Sequence, residues 1–227
     1  MTQRSVVIIK IALWAACLAP FGLLALQAFG YAGGLGANPV EKVLYVCGTT
    51  GLNLLMLTLC VTPIRRSTGI NRLVSFRRLL GLFAFFYLAL HFSTYALLEL
   101  GLIFEPQFAW ETLLVDITER PYITVGFTAL VLLIPLAITS TRALQRRLGR
   151  NWARLHRLVY VAAILGVLHF WWQKKSDADI AEPLLYAFLL AVLLGVRLKH
   201  RLVNAKPAVP APYPRVEPPE AQEKTAR

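Results

Sequence analysis

Acidic residues are scarce in this chain, and they avoid its apolar runs. Its 227 residues include 12 Asp and Glu against 24 Lys and Arg, a net charge of +12. The centres of the long apolar runs carry no Asp or Glu, and Glu99 stands near the end of one of them. A transporter that moves protons or metal ions through buried histidines would place acids or broken helices near the midplane, so that class falls behind. Cysteine is equally thin. Cys17, Cys47 and Cys60 lie in or beside apolar runs with no CxxC pair, and they read as small packing residues and not as a redox or zinc centre. No GxGxxG loop is present, which removes a Rossmann unit from consideration.

What the chain does have is apolar length. Hydrophobic residues make up 57% of it, with a mean hydropathy of +0.57, above the ~45–50% usual for soluble domains. The basic residues form short clusters between these runs and not one basic face, so nucleic acid is excluded as a partner and the lipid bilayer is expected. Six segments approach the ~20 apolar residues that a crossing helix needs. They are Val6–Phe29, Val43–Thr62, Leu79–Phe104, Tyr122–Ile138, Leu158–Trp172 and Pro183–Val196. The first lacks a small-residue cleavage site and carries Lys10 in its apolar start, so it reads as a retained helix and not a signal peptide. Pro20 is expected to kink it.

Loop charge sets the expected orientation. One loop carries Arg65, Arg66, Arg72, Arg77 and Arg78, and another Arg142, Arg146, Arg147, Arg150, Arg154 and Arg157, neither with an acid. The segment between the third and fourth runs holds Glu105, Glu111, Asp116 and Glu119 against Arg120 alone. The loop after the fifth has Lys174 and Lys175 beside Asp177, Asp179 and Glu182. By the positive-inside rule the arginine loops and both termini face the cytoplasm. The expected fold is therefore all-α, a polytopic six-helix transmembrane bundle with both termini cytoplasmic, formed by residues 1–203. Residues 204–227, rich in Pro, Ala and charge, read as a disordered cytoplasmic tail. No internal repeat is evident by inspection.

The chain has four histidines. His200 follows Arg197 and Lys199 and reads as an interfacial cation. His91 (FYLALHFSTY) and His169 (ILGVLHFWW) lie deep in apolar sequence, where an ionisable group is a functional candidate by default. His91 comes 13 residues after Arg78 and His169 comes 12 after Arg157, rises of ~20 Å and ~18 Å along helices running the same way. The two imidazoles are thus expected at one level, in the outer half of the bilayer. Such a pair suits a six-coordinate b-type haem held from both sides. No CxxCH is present for covalent attachment, and zinc would want further ligands at that depth.

Small residues near the pair fit a flat macrocycle: Gly166 and Ala162 before His169, and Gly81 and Ala84 before His91, with Tyr87 and Tyr95 flanking it. The same residues also suit close helix packing. His156 sits among arginines at the cytoplasmic start of the fifth run, with Arg77 and Arg78 at the matching level of the third. Three roles stay open for it: alternative or second haem ligand, contact to another cofactor or a quinone headgroup, or interfacial residue.

The stretches RRLLGLFAFFYLALHFSTY and RNWARLHRLVYVAAILGVLHFWW, set among six helices, resemble the ferric-reductase-like transmembrane domain family over about Ile8 to Arg201. Within it the likeness is nearest to the haem-binding membrane subunits of bacterial systems that repair methionine sulfoxide in proteins. The resemblance implies that the family's motif histidines match His91, His156 and His169, all three in haem binding. It also implies haem b and FMN as cofactors, an inner-membrane location, and electrons drawn from the quinone pool or a soluble flavin reductase. The acceptor would be MsrP, a periplasmic molybdenum-cofactor enzyme that carries out the sulfoxide reduction itself. A stand-alone ferric or quinone reductase of the same fold is the alternative. Wider relatives have histidine pairs at two levels and a flavin and nucleotide domain after the sixth helix. Here arginine holds the inner level of the third run, and the stretch after Val203 is too short for such a domain.

Overall fold

The structure, a computed structural model, describes residues 2–174 and 180–203. The expected tail, and Lys175, Asp177 and Asp179 of the outer loop, lie outside the described residues. Every regular element described is helical, in the order α1 (Gln3–Ala28), α2 (Pro39–Thr68), α3 (Val74–Thr94), α4 (Pro106–Glu119), α5 (Pro121–Ile138), α6 (Arg142–Leu148), α7 (Arg150–Leu155), α8 (Leu158–Lys174) and α9 (Ala181–Val203). Six spans among them are long and apolar enough to cross a membrane.

Helix ends follow local chemistry. Asn38 caps α2 by accepting from the amide of Glu41 at 3.3 Å, and Pro39 opens the first turn, where its missing N–H costs nothing. At the other end Gly69 adopts φ 70°, a left-handed conformation that glycine takes without strain, and its N–H bonds Arg65 O at 2.9 Å. Arg65 and Arg66 in that last turn also favour the negative end of the helix dipole. Pro106 and Pro121 open α4 and α5 in the same way as Pro39.

The structure departs most from the sequence expectation at the third run and the segment after it. The third run does not stay α-helical to Phe104. It passes into a π-helical turn over Tyr95–Glu99, where Leu100 N–H reaches back to Tyr95 O at 3.0 Å. The acidic segment that follows is an ordered helix, α4, which buries Ala109, Leu113 and Asp116 along one face. Exposed apolar residues on its other faces, Phe108, Trp110 and Leu114, blur the helical period that would announce it.

The core is built from two helical hairpins, α2 with α3 and α5 with α8, packed against each other through α3 on α5 and α2 on α8. Helix α1 leans on α2 and α3, and α9 covers α2 and α8. Small side chains fill the interior: Ala84, Ala162 and Ala163 are essentially inaccessible, which lets backbones approach closely where lipid offers no hydrophobic drive. Large apolar groups such as Ile8, Ile11, Leu185 and Phe188 point outward, as lipid-facing surfaces require. Cys17 and Cys47 are buried and all three cysteines are free.

The hairpins repeat one another, contrary to the reading of the bare sequence. A single step of 78 residues carries Leu44 to Tyr122, Gly48 to Gly126, Ala84 to Ala162, His91 to His169 and Phe92 to Phe170. Few identities survive between the halves, so the relationship emerges from equivalent contacts and not from similarity.

Candidate metal centre

Each hairpin delivers one imidazole to the interface between them. His91 on α3 donates from Nδ1 to Leu44 O on α2 at 2.8 Å, and His169 on α8 donates from Nδ1 to Tyr122 O on α5 at 2.7 Å. Both bonds span 47 residues. A carbonyl can only accept, so the proton must sit on Nδ1 and the neutral ring keeps its lone pair on Nε2. This is the arrangement by which proteins orient histidine ligands: one nitrogen tethered, the other offered to a metal.

The two rings face each other with centroids 6.2 Å apart and planes at 81°. Two metal–nitrogen bonds of about 2 Å each would take up most of that separation, and the remainder matches the two half-rings. A pair so tethered would have room for one metal between its two Nε2 atoms.

The tethers depend on two glycines that sequence inspection did not single out. A Cβ on Gly48 would lie 3.0 Å from His91 Nδ1, and one on Gly126 would lie 2.6 Å from His169 Nδ1. Each glycine comes four residues after the accepting carbonyl, on the same face of its helix. Its bare backbone lets the ring slide in to reach that carbonyl. The 78-residue step was the only sequence signal that could have found them.

Of the two readings left open for the small residues, the contacts at Gly166 and Gly81 match close helix packing. Gly166 packs on Leu52 and Gly81 on Thr58, both at ordinary contact distance from α2. Tyr87, fully buried, turns away from the histidines towards α1. Its hydroxyl donates to Cys17 O at 2.6 Å and accepts from Phe21 N at 3.1 Å, entering the helical ladder of α1 beside Pro20. Tyr95 bonds the buried carboxylate of Asp116, which also pairs with Arg120 Nε at 2.9 Å. That trio ties α4 to the π turn and to the start of α5, next to the Tyr122 carbonyl that holds His169.

His156 is apart from the pair. It lies in a break between α7 and α8, stacked on Trp152 with centroids 3.9 Å apart, and its Nδ1 donates to Trp152 O at 3.1 Å. Trp152 in turn bonds Thr139 O at the end of α5, at 3.0 Å. The His156 Nε2 atom is buried without a partner among the described residues. The helical irregularity frees its direction from that of His169, yet no imidazole or carboxylate opposes it. His200 lies in the last turn of α9.

Residues 47–167 match the model of the family described as ferric reductase like transmembrane component. His91 and His156 fall inside the matched stretch, and His169 stands two residues beyond. A protein of Ralstonia nicotianae, named protein-methionine-sulfoxide reductase heme-binding subunit MsrQ, is 50% identical over 199 residues, 87% of this chain and 88% of its own. The protein of that name from Xanthomonas campestris pv. campestris is 47% identical over 222 residues, 93% of this chain and 98% of its own. Its namesake from Xanthomonas euvesicatoria pv. vesicatoria is 46% identical over 219 residues, covering 93% and 97%. No solved structure matches. A family model spanning more than half of the chain, with near-half identity to these subunits over most of both lengths, shows that this multi-pass membrane protein belongs to the ferric-reductase-like transmembrane family and groups within it with the MsrQ subunits.

Proposed function

We propose that the chain is the membrane electron-transfer subunit of a protein-methionine-sulfoxide reductase system and that it holds a b-type haem between His91 and His169. One observation carries the reading: two imidazoles, each tethered through Nδ1 to a carbonyl of its own hairpin so that Nε2 stays free of that bond, stand with ring centroids 6.2 Å apart. The relatives' name, heme-binding subunit, points the same way.

When bound, haem iron supplies a one-electron carrier inside the bilayer. The chain's own residues do the rest. Leu44 O and Tyr122 O hold the tautomer and aim each ring, while Gly48 and Gly126 allow the approach. The backbone tethers would also hold both rings in place as ligands, since each is fixed through the nitrogen that does not face the metal.

The arginine-rich loops are assigned to the cytoplasm and α4 to the periplasmic side, at the inner membrane. Electrons enter from the quinone pool or a soluble flavin reductase and leave to a periplasmic molybdenum-cofactor partner of the MsrP type, where the sulfoxide is reduced. The resemblance also implies FMN, to which no residue of the chain is assigned. His156 is placed outside the ligand pair, on the donor side.

A reduced-minus-oxidised visible spectrum of the purified chain tests this. A low-spin b-type signal is expected in the wild type and its loss in both His91→Ala and His169→Ala. A normal spectrum in either variant would remove that residue from the site.

A further inference from the structure

Topology explains arginines in loops, but Arg197 is not in a loop. It stands within α9 with only 8% of its surface exposed, and no carboxylate pairs with it among the described residues. One of its Nη groups donates to Leu59 O, and the other to Leu193 O at 3.3 Å. The Leu59 carbonyl is available because Pro63, four residues on, has no N–H to offer it. This clamp accounts for part of the guanidinium. It leaves the buried Nε–H without a partner, and it leaves the charge uncompensated. The Tyr160 ring, 5.3 Å away, gives only a cation–π contact, while Arg66 and Arg77 add repulsion. A buried charge in such surroundings is costly unless an anion joins it.

Arg197 borders a cavity of about 70 Å³, lined otherwise by Thr62, Arg66, Tyr160 and Arg201. Three arginines, a threonine and a tyrosine thus line a space of that size, with no acid among them. Guanidinium forks suit the oxygens of a phosphate, which can accept from several donors at once. The cavity lies near the arginine-rich ends of α2 and α9, at the level of the bilayer surface, where basic pockets between helices take anionic headgroups. From these observations we infer that this cavity binds a phosphate group, supplied by the headgroup of an anionic phospholipid. A soluble phosphate presents the same chemistry and is separated from it by experiment. The site is independent of the histidine pair.

The test uses the full chain, purified in neutral detergent and stripped of lipid, and measures binding of phosphatidylglycerol against phosphatidylcholine by native mass spectrometry. Arg66→Gln/Arg201→Gln removes two exposed cations from the cavity without touching the Arg197 clamp. Arg146→Gln/Arg147→Gln removes the same charge from α6, away from it. Wild type and the α6 variant should prefer phosphatidylglycerol, and the cavity variant should lose affinity by about fivefold per arginine. Inorganic phosphate should displace the lipid from wild type. Equal loss in both variants, or none in the cavity variant, would overturn the site. Binding of inorganic phosphate with the same arginine dependence, without lipid preference, would keep the phosphate site and overturn the lipid as its source. Circular dichroism checks that both variants stay helical.

Discussion

Gly126 and His169 stand closer than any side chain would permit: a Cβ on the glycine would lie 2.6 Å from the ring Nδ1. The obstructing atom belongs to a ring bonded to backbone at Tyr122 O, so it cannot simply swing aside. Gly126→Ala should therefore push His169 out of line and break its tether. Haem content per protein, read from the b-type absorbance, should fall several-fold. Gly48→Ala meets His91 Nδ1 at 3.0 Å, and the smaller overlap predicts a milder loss. The ordering of the two variants is the informative result. An unchanged spectrum in Gly126→Ala would show that the ring does not depend on that approach.

His156 stacks on Trp152 and does not oppose another imidazole. His156→Ala should leave the low-spin signal of the His91–His169 pair in place. What should change is the arginine-rich end, where the ring supports Trp152 and through it the end of α5. Slower reduction by the physiological donor with a retained spectrum is the expected pattern in stopped-flow measurement. Loss of half the haem would instead make His156 a ligand.

Tyr87 is expected to matter for stability and not for the metal. Its hydroxyl bridges Cys17 O and Phe21 N of α1. Tyr87→Phe deletes the bridge inside a buried contact and should cost about 1–3 kcal/mol. Thermal unfolding in detergent should show it, with the haem spectrum of the folded protein unaltered. A changed spectrum at unchanged melting temperature would contradict this assignment.

Asp116 should behave differently from an exposed acid, being only 2% accessible. Asp116→Ala strands the Tyr95 hydroxyl and releases Arg120, loosening α4 from α5. A cost of about 1–3 kcal/mol is expected, and Asp116→Asn, which can still accept from Tyr95, should lose less. Because Tyr122 follows Arg120 by two residues and holds His169, the alanine variant should also broaden the haem spectrum.

Much of the bundle could be read in the residues, because a membrane imposes strict rules. Apolar runs of crossing length located the helices, and Gly69, Pro39 and Pro121 mark ends that local chemistry alone explains. The depth of His91 and His169 along their helices followed from the rise per residue. Their tethers did not, since Leu44 and Tyr122 contribute only carbonyls, which carry no side-chain signature. Gly166 and Gly81 left two readings open for a related reason: a small residue announces a close approach but not what approaches. Helix α4 was hidden because Phe108, Trp110 and Leu114 put apolar groups on its exposed faces too, and the π turn carries no signature in its own residues.

By itself, the sequence determined that this is an apolar chain with helical runs of crossing length, two histidines equally far along theirs and arginine at one end, since length, charge and helical rise are local quantities. Only the tertiary structure decided which faces meet. It brought the two imidazoles to 6.2 Å, set His156 aside on Trp152, and buried Arg197 against the carbonyl that Pro63 leaves without a donor. Each of those outcomes depends on how one helix is rotated against another, and that rotation is settled by packing between residues far apart in the chain.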